Sequence, residues 1–249
     1  MRLVCSLLML LLCVSGAMAD TVLLPRLKPQ KPEATAVQQA KPRPPQIRFP
    51  ASTEGWPADV VRMARRACME KLKGLDLEFQ AMAPIGKKGS CGTPAPLLIT
   101  SIAGVGVKPP AEANCDLAEA LHQWIAWSVK PAAAQHLKKK LTVINNGSAY
   151  VCRRRNNSAT GKMSEHAMVN ALDISTLGFD DGSAISIKGD WSGLKQMIGV
   201  SANGAFLRTI RKFACIRFTT VLGPGSDPYH GDHFHVDLQK RKGGYRICQ

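Results

Sequence analysis

Beyond its first nineteen residues, the chain lacks an uninterrupted apolar run long enough to cross a bilayer. The first two residues include a basic one, residues 3–14 are largely apolar but too few to span a membrane, and Ala17-Met18-Ala19 matches a cleavage site. This pattern is typical of an export signal. We therefore expect residues 1–19 to be removed, the mature chain to begin at Asp20, and no stable membrane span to remain.

The cysteines lack the C-x-x-C spacing that is typical of a cysteine metal site. Two of the eight cysteines fall inside the expected signal, which leaves an even number in the exported chain. In an oxidising compartment an even number favours disulfides, although the sequence does not choose among the possible pairings. We predict three disulfides among the remaining cysteines, which are Cys68, Cys91, Cys115, Cys152, Cys215 and Cys248.

Acidic residues are scarce, since 18 Asp and Glu stand against 33 Lys and Arg and give a formal net charge of +15. Such an excess favours residence near polyanions such as cell-wall polymers, lipid head groups or nucleic acid. The basic residues are scattered, with dense runs only at 138–140 and 153–155, and no nucleic-acid-binding motif is present. We therefore do not expect nucleic acid to be a partner.

Residues 20–52 contain seven prolines among Lys, Arg, Gln and Ala. Proline removes a backbone donor and fixes φ, so this stretch should form neither a long helix nor a strand ladder. We interpret it as an extended basic tether that could rest on anionic envelope polymers. The remaining residues, 53–249, are enough for one sizeable domain.

Within that domain, helical patterns come first and strand patterns dominate the second half. The spacing of apolar residues predicts a helix over 117–129 that stops at Pro131. The Asn145-Asn146-Gly147-Ser148 stretch predicts a turn between strands at 141–144 and 149–153. This order of elements indicates an α+β fold rather than a doubly wound sheet.

Four of the six histidines fall in two short segments, 164–174 and 230–237. In the first segment, His166 and Asp173 offer an imidazole and a carboxylate, both of which are zinc ligands. They are seven residues apart, and on one regular strand an odd separation would place them on opposite faces. A turn or bulge must therefore lie between them if both bind one metal.

The second segment places His233 and His235 two residues apart, so that on a strand both imidazoles lie on the same face. One of them can bind a metal while the other stands beside the open coordination position. His230 lies across the preceding turn and could reach the same pocket. We interpret Asp237 as a surface residue of the strand.

Several stretches carry a resemblance to the bacterial extensin-like C-terminal domain family. They are Ser164-Glu165-His166-Ala167, Asn170-Ala171-Leu172-Asp173-Ile174, the turn from Val221 to Asp227, His233-Phe234-His235 and the closing Tyr245-Arg246-Ile247-Cys248. The match covers roughly residues 56–249. The His-x6-Asp pair with its downstream His-x-His is also similar to metallopeptidases related to lysostaphin, to D-Ala-D-Ala carboxypeptidases and to the hedgehog signalling domain.

The resemblance implies a zinc ion held by His166, Asp173 and His235, and hydrolysis of peptide bonds in peptidoglycan. It also implies a small antiparallel sheet that carries the zinc site, with helices packed on one side and disulfides stapling the fold. The penicillin-insensitive murein endopeptidases are similar in carrying histidines at the positions of His230 and His233. Together with the signal, the resemblance implies a periplasmic or secreted protein.

Two positions depart from the related enzymes. The wider group usually has glycine three residues after the first ligand, where this chain has Val169. The D-Ala-D-Ala dipeptidases place a glutamate base three residues before the last ligand, where this chain has Asp232. Because the aspartate side chain is shorter, the general base stays open between His233 and Asp232.

Three further residues complete the expected site. Alternation from Tyr150 and Cys152 selects Arg154 as the cation that neutralises a developing oxyanion. Ser164 and Glu165 are expected to orient the metal ligands.

Two other classes of function remain open at this point. One is a non-catalytic cell-wall-binding module that keeps its metal, and the other is a structural envelope protein held by its disulfides. A pure binder has no need of His230 and His233 beside a three-ligand metal, so these residues favour an enzyme.

Overall fold

The computed structural model describes residues 53–87, 91–191 and 201–249. The expected signal at 1–19 and the expected tether at 20–52 lie outside the described residues. Within the described ranges, no helix is both long and apolar enough to cross a membrane.

The described residues form five α-helices, which are α1 (Ala58–Leu72), α2 (Cys115–Trp124), α3 (Lys130–Leu137), α4 (Ile187–Trp191) and α5 (Ala202–Arg217). Helix α2 begins where the side-chain oxygen of Asn114 accepts a hydrogen bond from the Leu117 amide at 2.8 Å. Its apolar stripe of Leu117, Leu121 and Trp124 is fully buried. The helix predicted at 117–129 is therefore confirmed in its central part.

A π-helical segment, Ile125–Val129, joins α2 directly to α3, so the predicted stop at Pro131 is wrong. Proline cannot continue an α-helical hydrogen-bond ladder because it lacks an N–H group. Here Pro131 lies in the first turn of α3, where the missing donor is not needed. The wider π turn ahead of it shifts the hydrogen-bond pattern and keeps the chain helical.

Nine strands of the described residues form one large sheet, namely β1 (Leu77–Ala81), β4 (Leu97–Ile102), β5 (Val105–Ala113), β6 (Leu141–Ser148), β7 (Ala171–Phe179), β8 (Ala184–Ser186), β9 (Thr220–Leu222), β10 (Phe234–Asp237) and β11 (Ile247–Cys248). Two short strands, β2 (Ile85–Gly86) and β3 (Gly92–Thr93), pair separately. The order across the sheet is β1-β4-β5-β6-β7-β10-β9-β11, and β8 pairs with β7.

The expectation of a small sheet is wrong, whereas the expected antiparallel pairing is confirmed for most of the sheet. Most neighbouring strands are antiparallel, but β5 pairs with β6 and β9 pairs with β11 in parallel. The sheet is large because the β4–β5 hairpin of the first half joins the strands of the second half through β6. The mixture of helices and this sheet agrees with the expected α+β class.

The predicted turn at residues 145–148 is also wrong, because β6 runs straight through it to Ser148. Strand β7 pairs along this whole stretch, and irregularities in the register near Asn146 accommodate the turn-prone residues. Gly147 passes close to β7, since a Cβ atom there would lie 3.7 Å from the Asp173 carbonyl oxygen. Inter-strand pairing thus overrides the local turn signal. The segment 149–153 forms no strand.

The central strands β7 and β10 have two chemically different faces. On one face, Leu172, Ile174, Phe234 and Val236 belong to a hydrophobic core that also contains the buried side chains of α2 and α5. Because side chains alternate along a strand, the residues between them point to the opposite face. Those residues include Asp173, His235 and Asp237, so the candidate site lies on the face away from this core.

The six cysteines form three disulfides, as predicted. Cys68 pairs with Cys115, Cys91 with Cys152, and Cys215 with Cys248. The second bridge fastens the irregular segment after β6 to the β2–β3 pair. The third fastens the C-terminal strand β11 to helix α5.

Candidate metal centre

Three buried side chains converge at one point on the polar face of the sheet. His166 Nε2 lies 3.2 Å from Asp173 Oδ1 and 3.1 Å from His235 Nδ1. His235 Nδ1 lies 2.9 Å from the same Asp173 oxygen. The three residues are between 2% and 8% exposed, so these polar atoms are almost removed from solvent.

Local structure explains why residues so far apart in sequence meet here. Asp173 on β7 and His235 on β10 are direct partners in the antiparallel register. His166 lies in a 3-10 turn, Glu165–Met168, that precedes β7 and is capped by Ser164. The turn that the odd spacing of His166 and Asp173 requires is therefore present.

Val169 closes this turn in the left-handed region, with φ of 55°. This is the position at which the related enzymes usually have glycine, the residue best suited to positive φ. A β-branched residue there is strained. Complete burial of the side chain and a 2.7 Å hydrogen bond from the Asn114 amide to the Val169 carbonyl hold the conformation.

In each imidazole, the nitrogen that points away from the cluster donates a hydrogen bond. The other ring nitrogen faces the cluster and can act as an acceptor. His166 Nδ1 lies 2.5 Å from the Ala149 carbonyl oxygen, which can only accept, so Nδ1 carries the proton. His235 Nε2 donates in the same way to Asp237 Oδ2 at 3.1 Å. His166 Nε2 and His235 Nδ1 are therefore the nitrogens that face Asp173 Oδ1, an arrangement that favours a cation among the three atoms.

Without a metal, a proton supplies that positive charge. Burial alone would lower the pKa of His235, but its hydrogen bonds with Asp173 and Asp237 outweigh burial and raise the pKa to about 9. Burial would raise the pKa of Asp173, but hydrogen bonds with His166 and His235 hold it well below its ordinary value. The hydrogen bonds that raise the pKa of His235 and lower that of Asp173 thus favour positive charge at this cluster.

The three side chains also fit a metal ion by geometry. Their ligand atoms all lie within 4.8 Å of one another. Atoms bound to one tetrahedral metal at about 2.0–2.2 Å lie roughly 3.3–3.6 Å apart. The observed separations of 2.9–3.2 Å are slightly shorter, so a small outward shift would complete the geometry.

Two further histidine–aspartate pairs stand beside the cluster. His233 Nδ1 lies 2.7 Å from Asp232 Oδ1, and His233 Nε2 lies 3.7 Å from Asp173 Oδ1. His230 Nδ1 lies 2.7 Å from Asp227 Oδ1, and its ring centroid is 5.6 Å from that of His235. The three expected ligands and both additional histidines are therefore brought together.

The protonation of His230 follows from its surroundings. Burial lowers the pKa of its imidazole, and the hydrogen bond with Asp227 opposes this only in part. The ring is therefore neutral at neutral pH, with Nδ1 donating to Asp227. Asp227 was not anticipated as a site residue.

An open cavity of about 480 Å³ is lined by the three candidate ligands, His230 and His233. Its wall includes Arg153 and Arg155 but not Arg154. Arg154 is exposed, and its guanidinium donates to the Gly161 carbonyl. The structure therefore places Arg154 outside the cavity wall, and the strand alternation on which its choice rested is absent.

Ser164 and Glu165 support the turn that carries His166 without contacting the side chains of the candidate ligands. Ser164 Oγ accepts from the His166 amide at 3.3 Å. Glu165 Oε2 accepts from Asn170 Nδ2 at 2.7 Å, and Asn170 Oδ1 in turn accepts from Asn114 Nδ2 at 2.9 Å. This chain of hydrogen bonds ties the ligand turn to the start of α2.

Asp237 is the functional residue that sequence reasoning misplaced. It is 4% exposed and accepts a hydrogen bond from a metal-site histidine instead of lying at the surface. The signal was available, because Asp237 is two residues after His235 and so shares its face of the strand. The interpretation was wrong because this face of the strand was expected to be exposed to solvent, whereas it is covered at the candidate site.

Replacing Asp237 by alanine should weaken zinc binding about 10-fold to 100-fold, because His235 loses the acceptor that orients its ring. Competition of the purified protein with a chelating dye measures the dissociation constant. Asp232→Ala is the matched control, because the Asp232 carboxylate contacts His233 and none of the three ligands. Equal zinc affinity of Asp237→Ala and the unmodified protein would refute this role.

Comparison with known proteins gives one match. The family described as extensin-like protein C-terminus matches residues 66–249. No curated protein and no solved structure matches the chain. The matched range includes all three candidate ligands, both additional histidines and the three disulfides. Because the match covers most of its length, the chain belongs to the extensin-like protein C-terminus family.

Proposed function

We propose that this protein is a zinc-dependent hydrolase of peptide bonds in peptidoglycan, cutting either the stem peptide or the cross-link. The observation that carries the proposal is the convergence of His166 Nε2, Asp173 Oδ1 and His235 Nδ1 within 2.9–3.2 Å at an open cavity. Two imidazoles and one carboxylate form a ligand set of the kind found in catalytic zinc sites.

Zinc suits this donor set because it accepts nitrogen and oxygen ligands in a tetrahedron. Three protein ligands leave one position free, as catalytic rather than structural zinc sites do. When bound, zinc supplies a Lewis acid and a coordinated water of lowered pKa. Asp237 and the Ala149 carbonyl hold the two imidazoles in the tautomers that such binding needs.

His233 is the general base in this proposal, with Asp232 as the residue that orients it. The Asp232 carboxylate accepts a hydrogen bond from His233 Nδ1. The other ring nitrogen, Nε2, is then free to accept a proton on the side that faces Asp173. Asp232 itself is half exposed, with 59% of its side chain accessible to solvent. Of the two bases left open by the sequence, His233 is thus the one directed at the metal site.

The substrate assignment rests on the resemblance to cell-wall peptidases and on charge. A net charge of +15 favours residence at an anionic envelope, where peptidoglycan is found. The cavity is open and lined largely by polar side chains, which suits a flexible peptide better than a compact apolar ligand. A periplasmic or secreted location belongs to the same proposal and agrees with the three disulfides.

Mass spectrometry of muropeptides tests the proposal. Purified cell wall is incubated with the oxidised protein as purified, after chelation, and after addition of zinc to the chelated protein. New fragments that disappear on chelation and return with zinc are the expected result, and their masses identify the bond. A folded, zinc-loaded protein that releases no fragments would instead indicate a non-catalytic cell-wall-binding module.

A further inference from the structure

Three arginines line the cavity that contains the metal-binding side chains. They are Arg153, Arg155 and Arg241, and each is half-buried, whereas the neighbouring Arg154 is exposed. Partly buried guanidinium groups repel one another unless an anion lies between them. Three arginine side chains at one cavity therefore favour the binding of an anion there.

The carboxylates of the cavity are already engaged elsewhere. Asp173, Asp227 and Asp237 each pair with a histidine at 2.7–3.2 Å. Within the described part of the chain, none of the three arginines forms an ion pair with a carboxylate. Glu165 also lines the cavity, and its carboxylate accepts a hydrogen bond from Asn170. Among the described residues, the three guanidinium groups are thus left without a direct carboxylate partner.

Arg241 is held rigidly on one side of the metal-binding side chains. Its guanidinium donates to the Thr219 carbonyl at 2.7 Å and to Thr220 Oγ1 at 2.5 Å, and it lies 5.4 Å from the ring of Tyr245. Thr220 is the direct strand partner of Asp237, the acceptor of His235. This arginine is therefore fixed beside the strand that supplies one of the ligands.

Arg153 and Arg155 line the cavity from the segment that precedes the ligand turn. The Arg153 carbonyl accepts from the Ser164 amide at 3.1 Å, and the Arg155 amide donates to the Lys162 carbonyl at 3.1 Å. These backbone bonds place both arginines beside the turn that carries His166. All three arginines therefore belong to segments that adjoin the candidate centre and line the same cavity.

We propose that Arg153, Arg155 and Arg241 form a carboxylate-binding subsite, so that the peptide cut by this protein carries a free carboxylate beside the scissile bond. The planar guanidinium fork matches a carboxylate with two parallel hydrogen bonds. The inference deepens the proposed peptidoglycan hydrolase and rests on it. The carboxylate belongs either to the C-terminus of the peptide or to an acidic side chain within it.

Binding to the oxidised, metal-free protein tests the subsite, because no zinc is then present to bind carboxylates or to cleave the probe. One probe pair is acetyl-D-Ala-D-Ala and its C-terminal amide. The other is a short peptide amide that contains D-Glu and its D-Gln counterpart. Isothermal titration should give roughly 10-fold to 100-fold tighter binding of the acid in one pair, and that pair identifies the source of the carboxylate.

Arginine variants distinguish a specific carboxylate-binding subsite from a general effect of positive charge on the protein. Arg153→Ala with Arg155→Ala, and separately Arg241→Ala, should remove the preference for the acid, while Arg154→Ala should keep it. Thermal unfolding establishes that each variant remains folded. Equal binding of acid and amide in both pairs would overturn the inference, as would inorganic phosphate competing as strongly as the acid.

The two proposals fail in different ways. Carboxylate-dependent binding without any release of muropeptides would leave the subsite in place and remove the hydrolase. Zinc-dependent release at equal rates from the acid and amide forms, unaffected by the arginine variants, would leave the hydrolase and remove the subsite.

Discussion

Replacing His166 by alanine should abolish zinc binding and peptide hydrolysis together. His166 Nε2 contacts both other ligands at 3.1–3.2 Å, and only two ligands remain without it. We expect zinc measured by elemental analysis after dialysis to fall from about one ion per chain to near zero, and hydrolysis to fall at least about 1,000-fold. Retention of stoichiometric zinc by this variant would contradict the ligand assignment.

A second histidine provides the matched control for that experiment. His136 lies on α3, and its Nε2 contacts Thr209 Oγ1 at 3.1 Å, outside the candidate centre. His136→Ala should keep both zinc and hydrolysis. Since His166 is buried, circular dichroism and thermal unfolding of both variants separate loss of metal from loss of the fold.

Replacing His233 by alanine should remove turnover and leave zinc in place. His233 is outside the three-ligand set, but its Nε2 lies 3.7 Å from Asp173 Oδ1. Loss of a positioned general base typically costs about 100-fold to 10,000-fold in rate. Zinc content and the kcat for a muropeptide substrate, measured on the same preparation, are the two readouts.

The variant Asp232→Asn decides between the two candidate bases. If Asp232 only orients His233, this variant should retain more activity than His233→Ala, because the amide oxygen of asparagine still accepts a hydrogen bond from His233 Nδ1. If Asp232 is the base, Asp232→Asn should lose turnover as completely as, or more completely than, His233→Ala. Loss of zinc from His233→Ala would instead make His233 a ligand.

Residue chemistry and spacing indicated the two segments of the candidate site, and the family resemblance selected His235 rather than His233 as the third ligand. His166, Asp173 and His235 combine the residue types that zinc prefers, and the alternation of β10 places His235 opposite the core. The sequence did not reveal which groups accept hydrogen bonds from the ring nitrogens that point away from the cluster. The Ala149 carbonyl follows a strand whose length was misjudged, so its contact with His166 was not foreseeable.

The errors in the predicted sheet share one cause, which is pairing between segments distant in sequence. The stretch around Gly147 has strong turn chemistry, but β7 lies alongside it and extends β6. The same extension removes the strand from which Arg154 was chosen. Sheet size also depends on which strands meet, because the parallel contact of β5 with β6 joins the two halves of the domain. Local patterns do not contain this information.

If the candidate centre holds zinc as proposed, the disulfide between Cys91 and Cys152 links metal binding to the oxidation state of the chain. Cys152 lies three residues after Ala149, whose carbonyl oxygen accepts a hydrogen bond from His166 Nδ1. The disulfide therefore helps to hold the segment that contains this carbonyl in place. Before oxidation the six cysteines are soft thiolate donors, which compete for the same zinc ion. Oxidation therefore removes the competing ligands in the same chemical event that secures the histidine site. A chain still in a reducing interior would misplace its metal, and correct loading would wait until the thiols had been consumed.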